Sequence, residues 1–253
     1  MEEKLERNNR AELRPSARQS ERISTSTVGE WLRLLRHGST PLTFRLPAGS
    51  QSEELLSVAY GEQVRQTGRQ VVDSLELSKL LRMVSLELSG LQSVEQRLGR
   101  FGLLMMGVPG DGKTTMIRAI QMAANLCYSA GLYSQRERDE GLEGLQIVTA
   151  RDVAQACTDA FRLQRLKERA VLAVDDVGTE PAEVMHYGTM LQPMAELLEY
   201  RYSRRLYTIL STNLTGRQLS EQYGERMVDR LREMCLPMIF PERSYRRRRE
   251  AEV

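Results

Sequence analysis

Cysteine is scarce in this 253-residue chain, and Cys127, Cys157 and Cys235 are odd in number, far apart and never in a C-x-x-C pair. That spacing indicates neither a disulfide framework nor a zinc site, and a reducing cytoplasm is the expected location. Also missing is any run of roughly 18 apolar residues, the least that spans a membrane as a helix. The first residues, Met1-Glu2-Glu3-Lys4, lack the apolar stretch of a secretion signal, so no membrane partner is expected. No internal repeat is present, and Trp31 is the single tryptophan. Lysine is nearly absent: Lys4, Lys79, Lys113 and Lys167 stand against 32 arginines. Such a bias suits phosphate and carboxylate recognition, and it equally suits an arginine-rich genome.

What remains is an ordinary globular composition. With 41% hydrophobic and 28% charged residues and a net charge of +2, the chain can bury a sizeable core, and its charge forces no particular partner. Its length suits one large α/β domain with a smaller appendage.

The strongest local signal is Gly107-Val108-Pro109-Gly110-Asp111-Gly112-Lys113-Thr114, a complete G-x-x-x-x-G-K-T phosphate-binding loop. The apolar run 102–106 before it reads as a buried parallel strand, and Met116, Ile117, Ile120 and Ala124 follow at helical spacing. Glycines allow backbone N–H groups to turn inward around a phosphate, where the helix N-terminus adds partial positive charge. Lys113 then reaches the β- and γ-phosphates, the Thr114 hydroxyl is placed for Mg²⁺, and Thr115 supports the loop. ATP and Mg²⁺ are the expected cofactors.

Residues 1–22 carry five acids and six bases with only Leu5 and Leu13 to bury, which predicts a disordered arm, drawn as 1–26. Thr27-x-x-Glu30 is a capping-box pattern opening a helix with Val28, Trp31, Leu32 and Leu35 on one face, ended by Gly38. A proline-bounded extended piece spans 41–47, and Ser50-x-x-Glu53 opens another helix. Residues 27–70 are assigned as a helical partner-binding region, with packing of the second helix against the main domain as the plainer alternative. Residues 71–253 form the ATP-binding domain. Asp73 or Ser74 caps its first helix, in which Leu77, Leu80, Leu81, Val84 and Leu88 share a face.

Beyond a polar loop at 136–140, residues 146–150 read as a second strand and 152–163 as its helix, the alternation of a parallel sheet covered on both faces. The apolar run 170–174 ends in Asp175 and Asp176, 62 residues after Lys113 in the case of Asp175, and looks like a Walker B strand. Asp175 would hold the Mg²⁺ shell and Asp176 would polarise the attacking water. A strand over 207–213 ends at Asn213, whose amide suits either a turn or the orientation of that water. A helix begins at Gly224-Glu225-Arg226, and 236–240 reads as the last strand.

The phosphate loop, Asp175-Asp176-Val177-Gly178-x-Glu180-Pro181, the Thr212-Asn213 strand end, the Glu225-Arg226-x-x-Asp229-Arg230-Leu231 box and the closing Ser244-Tyr245-Arg246 together resemble the AAA+ ATPases. More narrowly they resemble the DnaC/IstB family of helicase loaders and transposition helper ATPases, over residues from about 75 to 249. The resemblance implies a P-loop NTPase AAA+ fold, a three-layer parallel sheet without a C-terminal helical lid, preceded by a small helical N-terminal region. It further implies that Asn213 is sensor 1, Arg230 an arginine finger offered to a neighbouring subunit, and Arg246 a sensor-2-like nucleotide contact. The implied partners are DNA, single-stranded for a loader, a replicative helicase or a transposase, and further copies of the chain through ATP-bridged interfaces. Asp176 stands where most AAA+ proteins carry Glu, which keeps a nucleotide-gated DNA-binding switch with little turnover beside the loader and the transposition helper. A small-molecule P-loop kinase would share the loop but would have no use for Asn213 and Arg230.

Overall fold

The computed structural model describes residues 50–71, 74–89, 100–132 and 144–241 together with Leu46, all within one compact unit, Pro41–Val253. The arm expected at 1–26, the Trp31 helix, the extended piece at 41–47 apart from Leu46, the loop at 136–140 and Ser244-Tyr245-Arg246 lie outside the described residues.

Helix α1 (Ser50–Gln66) is followed by α2 (Leu75–Ser89), which is capped by Ser74: its hydroxyl accepts the Leu77 N–H at 3.1 Å. Leu77, Leu80, Leu81, Val84 and Leu88 are all buried, as their spacing requires. Strand β1 (Gly102–Met106) leads through the phosphate loop into α3 (Lys113–Ser129). Strand β2 (Gln146–Thr149) stops one residue before the predicted end, because Thr149 and Asp152 form a reciprocal capping box that draws Ala150 into a helix.

The single helix expected over 152–163 is two, α4 (Ala150–Ala156) and α5 (Ala160–Glu168). The break lies at Asp159, whose side chain accepts the N–H groups of Phe161 and Arg162 at 3.0 and 3.1 Å and so starts a new helix inside the apolar period. Then come β3 (Val171–Val177), a hairpin of β4 (Val184–His186) and β5 (Thr189–Leu191), and α6 (Pro193–Arg204) with its proline at the start. Strand β6 (Tyr207–Thr212), α7 (Gly216–Tyr223), α8 (Glu225–Met234) and β7 (Leu236–Ile239) complete the described chain.

Five strands pair in the order β2-β3-β6-β1-β7, and every pairing is parallel. Successive side chains point to opposite faces of a strand, so the apolar runs feed two cores. Leu103, Met105, Val171, Ala173, Tyr207 and Ile209 pack with α1, α2 and α3, whereas Leu104, Leu172, Val174 and Leu210 pack with α4, α5, α6 and α8. The result is the three-layer α/β arrangement that the alternating strands and helices predict.

One buried cation ties the second layer to the sheet. Arg201 of α6 is fully buried, and its guanidinium donates five hydrogen bonds: to Thr208 Oγ1 at 2.9 Å, to the carbonyls of Leu166, Lys167 and Arg169 at 3.3, 3.2 and 2.7 Å, and to that of Tyr207 at 2.7 Å. Burial pushes its pKa down to about 9, which leaves it protonated at neutral pH. The α5 end supplies carbonyls that have no partner within their helix, and a cation there is favourable. Arg201→Met is expected to cost roughly 3–5 kcal/mol of unfolding free energy, read as a lowered urea midpoint, because these oxygens are left dry and unpaired. Arg201→Lys should recover little, since an ammonium cannot match a planar fork of donors.

Candidate nucleotide site

Parallel strands deliver their C-terminal ends to one edge, and here β6 lies between β1 and β3. The loop after β1, Asn213 after β6 and the two acids of β3 are therefore neighbours. The loop base is anchored on both sides: Gly107 N–H donates to the Thr212 carbonyl at 3.3 Å, and Phe240 N–H donates to the Met106 carbonyl at 2.7 Å. Two loop glycines are sterically required. A Cβ on Gly107 would lie 2.1 Å from Asp111 Oδ2, and one on Gly112, at φ 101°, would lie 2.6 Å from the Tyr60 hydroxyl oxygen.

Lys113 opens α3, and its side chain folds back into the loop. Its Nζ donates to the carbonyls of Gly107 and Val108 at 2.9 and 3.0 Å and to both carboxylate oxygens of Asp111 at 3.0 and 2.9 Å. Both partners are buried, at 4% and 1% side-chain exposure. Burial pushes the Asp111 carboxyl above the usual carboxylate range, against the opposing pull of Lys113.

Above the loop is a cavity of about 830 Å³. It is lined by residues 109–115, Arg118, Asp176, Thr179 and Asn213 together with Tyr60, Val64, residues 67–71 and Leu77. Its size suits a nucleotide. The N-cap of α3, Gly112, offers no side-chain acceptor; the Lys113 N–H donates to Asp111 Oδ1 at 3.3 Å, and the N-terminus of this 17-residue helix, with Thr114 and Thr115 on the cavity, favours a ligand anion. These features fit a polyphosphate. For Mg²⁺, Thr114 and Asp176 border the same cavity, while no cluster of three or more acidic, His or Cys side chains among the described residues could hold a metal by itself. Such a sparse donor set matches Mg²⁺, which takes few protein ligands and completes its shell with phosphate and water.

Both acids of β3 lie within a register shift against β6 between Val174 and Val177, where Asp176 has φ 58°. The shift sends Asp176 to the cavity; its N–H donates to Ser211 Oγ at 2.9 Å. Asp175 is buried, accepts the Ser211 hydroxyl, and borders an adjoining cavity of about 690 Å³ with Arg118, Thr149 and Asp152. Behind them, Glu180 accepts the Gly178 N–H at 2.8 Å and the Tyr223 hydroxyl, fastening α7 to the end of β3. Burial and the Glu180 carboxylate push the Tyr223 pKa far above the usual range.

Arg230 is not brought to this cavity. It lies on α8, donates to Glu199, and stacks over the Tyr202 ring at 5.4 Å with its side chain 19% exposed. Arg246 is outside the described residues. Sequence reasoning did not single out Arg118, Thr179, Tyr60, Val64 or residues 67–71. For Arg118 a signal exists, because it follows Thr114 at i, i+4 on the loop helix. The α1 residues offer none, since only packing of α1 against α3 carries Tyr60 and Val64 to the phosphate loop.

The chain matches no family model and no curated protein. Among solved structures, the crystal structure of the DnaC helicase loader aligns with a TM-score of 0.50 at 19% identity, over 72% of this chain and 98% of that one. The fold is that of an AAA+ P-loop domain. The resemblance read from the motifs is thus borne out at the level of fold. Two lower-scoring structures are DnaI, at TM-score 0.42 and 22% identity over 56% of this chain and 71% of that one, and AMPPCP-bound DnaA from Aquifex aeolicus, at 0.45 and 18% over 67% and 48%. The phosphate loop, Asp176 and Asn213 meet at the C-terminal edge of the sheet, and among the described residues no helix is long and apolar enough to cross a membrane.

Proposed function

We propose that the chain is an AAA+ ATPase that binds ATP with Mg²⁺, hydrolyses it to ADP and phosphate, and loads or recruits a partner protein onto DNA as a helicase loader does. The observation that carries the catalytic part is the convergence of residues 109–115, Asp176 and Asn213 on one cavity of nucleotide size. Lys113 would hold the phosphates as a point charge and the Thr114 hydroxyl would hold the metal, with Asp175 assigned to its water shell from beside Ser211, outside the lining of the nucleotide cavity, and Asp176 would accept the proton of the attacking water at its carboxylate. Asn213 orients that water through its amide. When bound, Mg²⁺ neutralises charge developing on the phosphate oxygens. Arg246 and the basic residues around it are assigned to nucleotide and single-stranded DNA, residues 27–70 to partner choice apart from the α1 face that packs on α3 and the residues from Tyr60 on that line the cavity, and Arg230 to a neighbouring copy's nucleotide.

The loader role is supported by the likeness in fold to the DnaC helicase loader and by the motif set from the phosphate loop to Arg230. A DNA-bound switch with little turnover is the second reading, favoured by Asp176: a shorter carboxylate than Glu, held at φ 58°, has less reach to water. The deciding experiment is steady-state phosphate release from ATP with no acceptor other than water, repeated with single-stranded DNA and a replicative helicase. Turnover without an acceptor excludes a kinase. Stimulation by DNA together with helicase deposited on the strand supports the loader, whereas nucleotide-gated DNA binding with phosphate release at background supports the switch.

A further inference from the structure

Asp111 occupies a variable position of the loop, yet the loop is built around its carboxylate. Gly110 and Gly112 flank it at φ 88° and 101°, turning the side chain inward, and the missing Cβ of Gly107 leaves it the room it fills. Its carboxylate reaches Lys113 twice, at the ammonium through both oxygens and at the backbone N–H, which donates to Oδ1 at 3.3 Å. An ammonium has three protons to donate, and Lys113 already faces four acceptors. A phosphate arriving at Lys113 has to displace one of them. Two are backbone carbonyls fixed in the loop; only the carboxylate can leave. Its negative charge also opposes the phosphate at the same cation, in a site where water screens little.

We propose that Asp111 is an internal counter-ion that holds Lys113 in the nucleotide-free protein and competes with nucleotide phosphate for it, so that this residue sets nucleotide affinity. The inference rests on the ATP-binding reading above. A phosphate swaps for a carboxylate at the ammonium, and part of the binding energy is consumed in separating the pair. Removing the carboxylate therefore acts with opposite sign on the two states: the nucleotide-free protein loses a buried partner, and the nucleotide-bound protein loses a competitor.

The test compares full-length wild type with Asp111→Asn, which keeps the shape under Gly107, and Asp111→Ser, which relieves the packing if the amide does not fit. ADP with Mg²⁺ is titrated calorimetrically, and melting is followed without nucleotide. Both variants should bind ADP roughly tenfold to hundredfold more tightly, the range for one charged hydrogen-bonded contact. Both should melt at a lower temperature than wild type when nucleotide is absent. A merely structural Asp111 would lower melting temperature and ADP affinity together, and that result, or unchanged affinity with a binding wild type, overturns the inference alone. Binding by the variants with none by wild type supports it, while no binding by any of the three overturns the ATP-binding reading as well. A measurement on the wild type needs no folded variant at the position. With only four lysines, the Lys113 ammonium is resolvable by ¹⁵N NMR and assignable with Lys113→Arg. It should exchange slowly with water before ADP is added and shift on addition, and a freely exchanging signal in the nucleotide-free protein overturns the pairing.

Discussion

Arg230→Ala is expected to lower ATP turnover by about 10³- to 10⁵-fold, roughly 4–7 kcal/mol of transition-state stabilisation, while leaving ATP affinity of the isolated chain intact. The size of the effect follows from the role proposed for it. An arginine finger neutralises charge that develops on the transferring phosphate, so its removal is felt in the transition state rather than in the ground state. The position of Arg230 speaks against action within its own chain. It is on α8, engaged with Glu199 of α6 and stacked over Tyr202, and it is not among the residues that line the nucleotide cavity. Exchanging Glu199 for a neighbour's γ-phosphate keeps the guanidinium paired in both states. Turnover per chain should accordingly rise with protein concentration. Mixing gives the sharper readout: Arg230→Ala retains a sound phosphate loop and Lys113→Ala retains its finger, so the two inactive proteins together should recover activity at mixed interfaces. No recovery at any ratio, with wild-type turnover independent of concentration, would assign Arg230 to holding α8 against α6.

Lys113→Ala should abolish ATP binding, whereas Asp176→Asn should keep binding and trap the ATP-bound form. One group grips phosphate in the ground state, and the other acts on water only as the reaction proceeds. Truncating Lys113 also leaves the buried Asp111 carboxylate without its cation, and that charge repels the incoming phosphates. The loss should therefore exceed that of a single hydrogen bond. Filter retention of labelled ATP measures the first effect, and single-turnover phosphate release the second. Equal loss of binding in both variants would contradict the division of roles. In Asp176→Asn, ATP retained with release at the wild-type rate would move the proton acceptor elsewhere, with the adjacent Asp175 as the next carboxylate.

The sequence by itself determined the segments. The strand at Gly102–Met106, the loop and its helix, the leucine face of α2 and, to within one residue at their ends, the strands carrying the two acids and leading to Asn213 were all legible. Each is written in spacings a few residues long and in residue types whose backbone preferences are local. Local competition explains the helix that proved to be two, since Asp159 offers its carboxylate to N–H groups in the middle of a continuous apolar period. Neither the hairpin of β4 and β5 nor α7 was foreseen: three-residue strands are too short to show a period, and the capping box of Thr215 with Gln218 sits among polar residues.

Only the tertiary structure decided how those segments meet. Strand order is a matter of pairing between distant residues, and by placing β6 between β1 and β3 it brings Asn213 and the acids of β3 to the phosphate loop. Packing between layers carries α1 onto α3, so that Tyr60 and Val64 become walls of the nucleotide cavity. A register shift of β3 against β6, invisible in the run Val174-Asp175-Asp176-Val177, turns one acid to the cavity and the other to Ser211. The inward fold of Asp111 onto Lys113 belongs to the same class, because it depends on left-handed φ angles at two glycines that composition permits but does not impose.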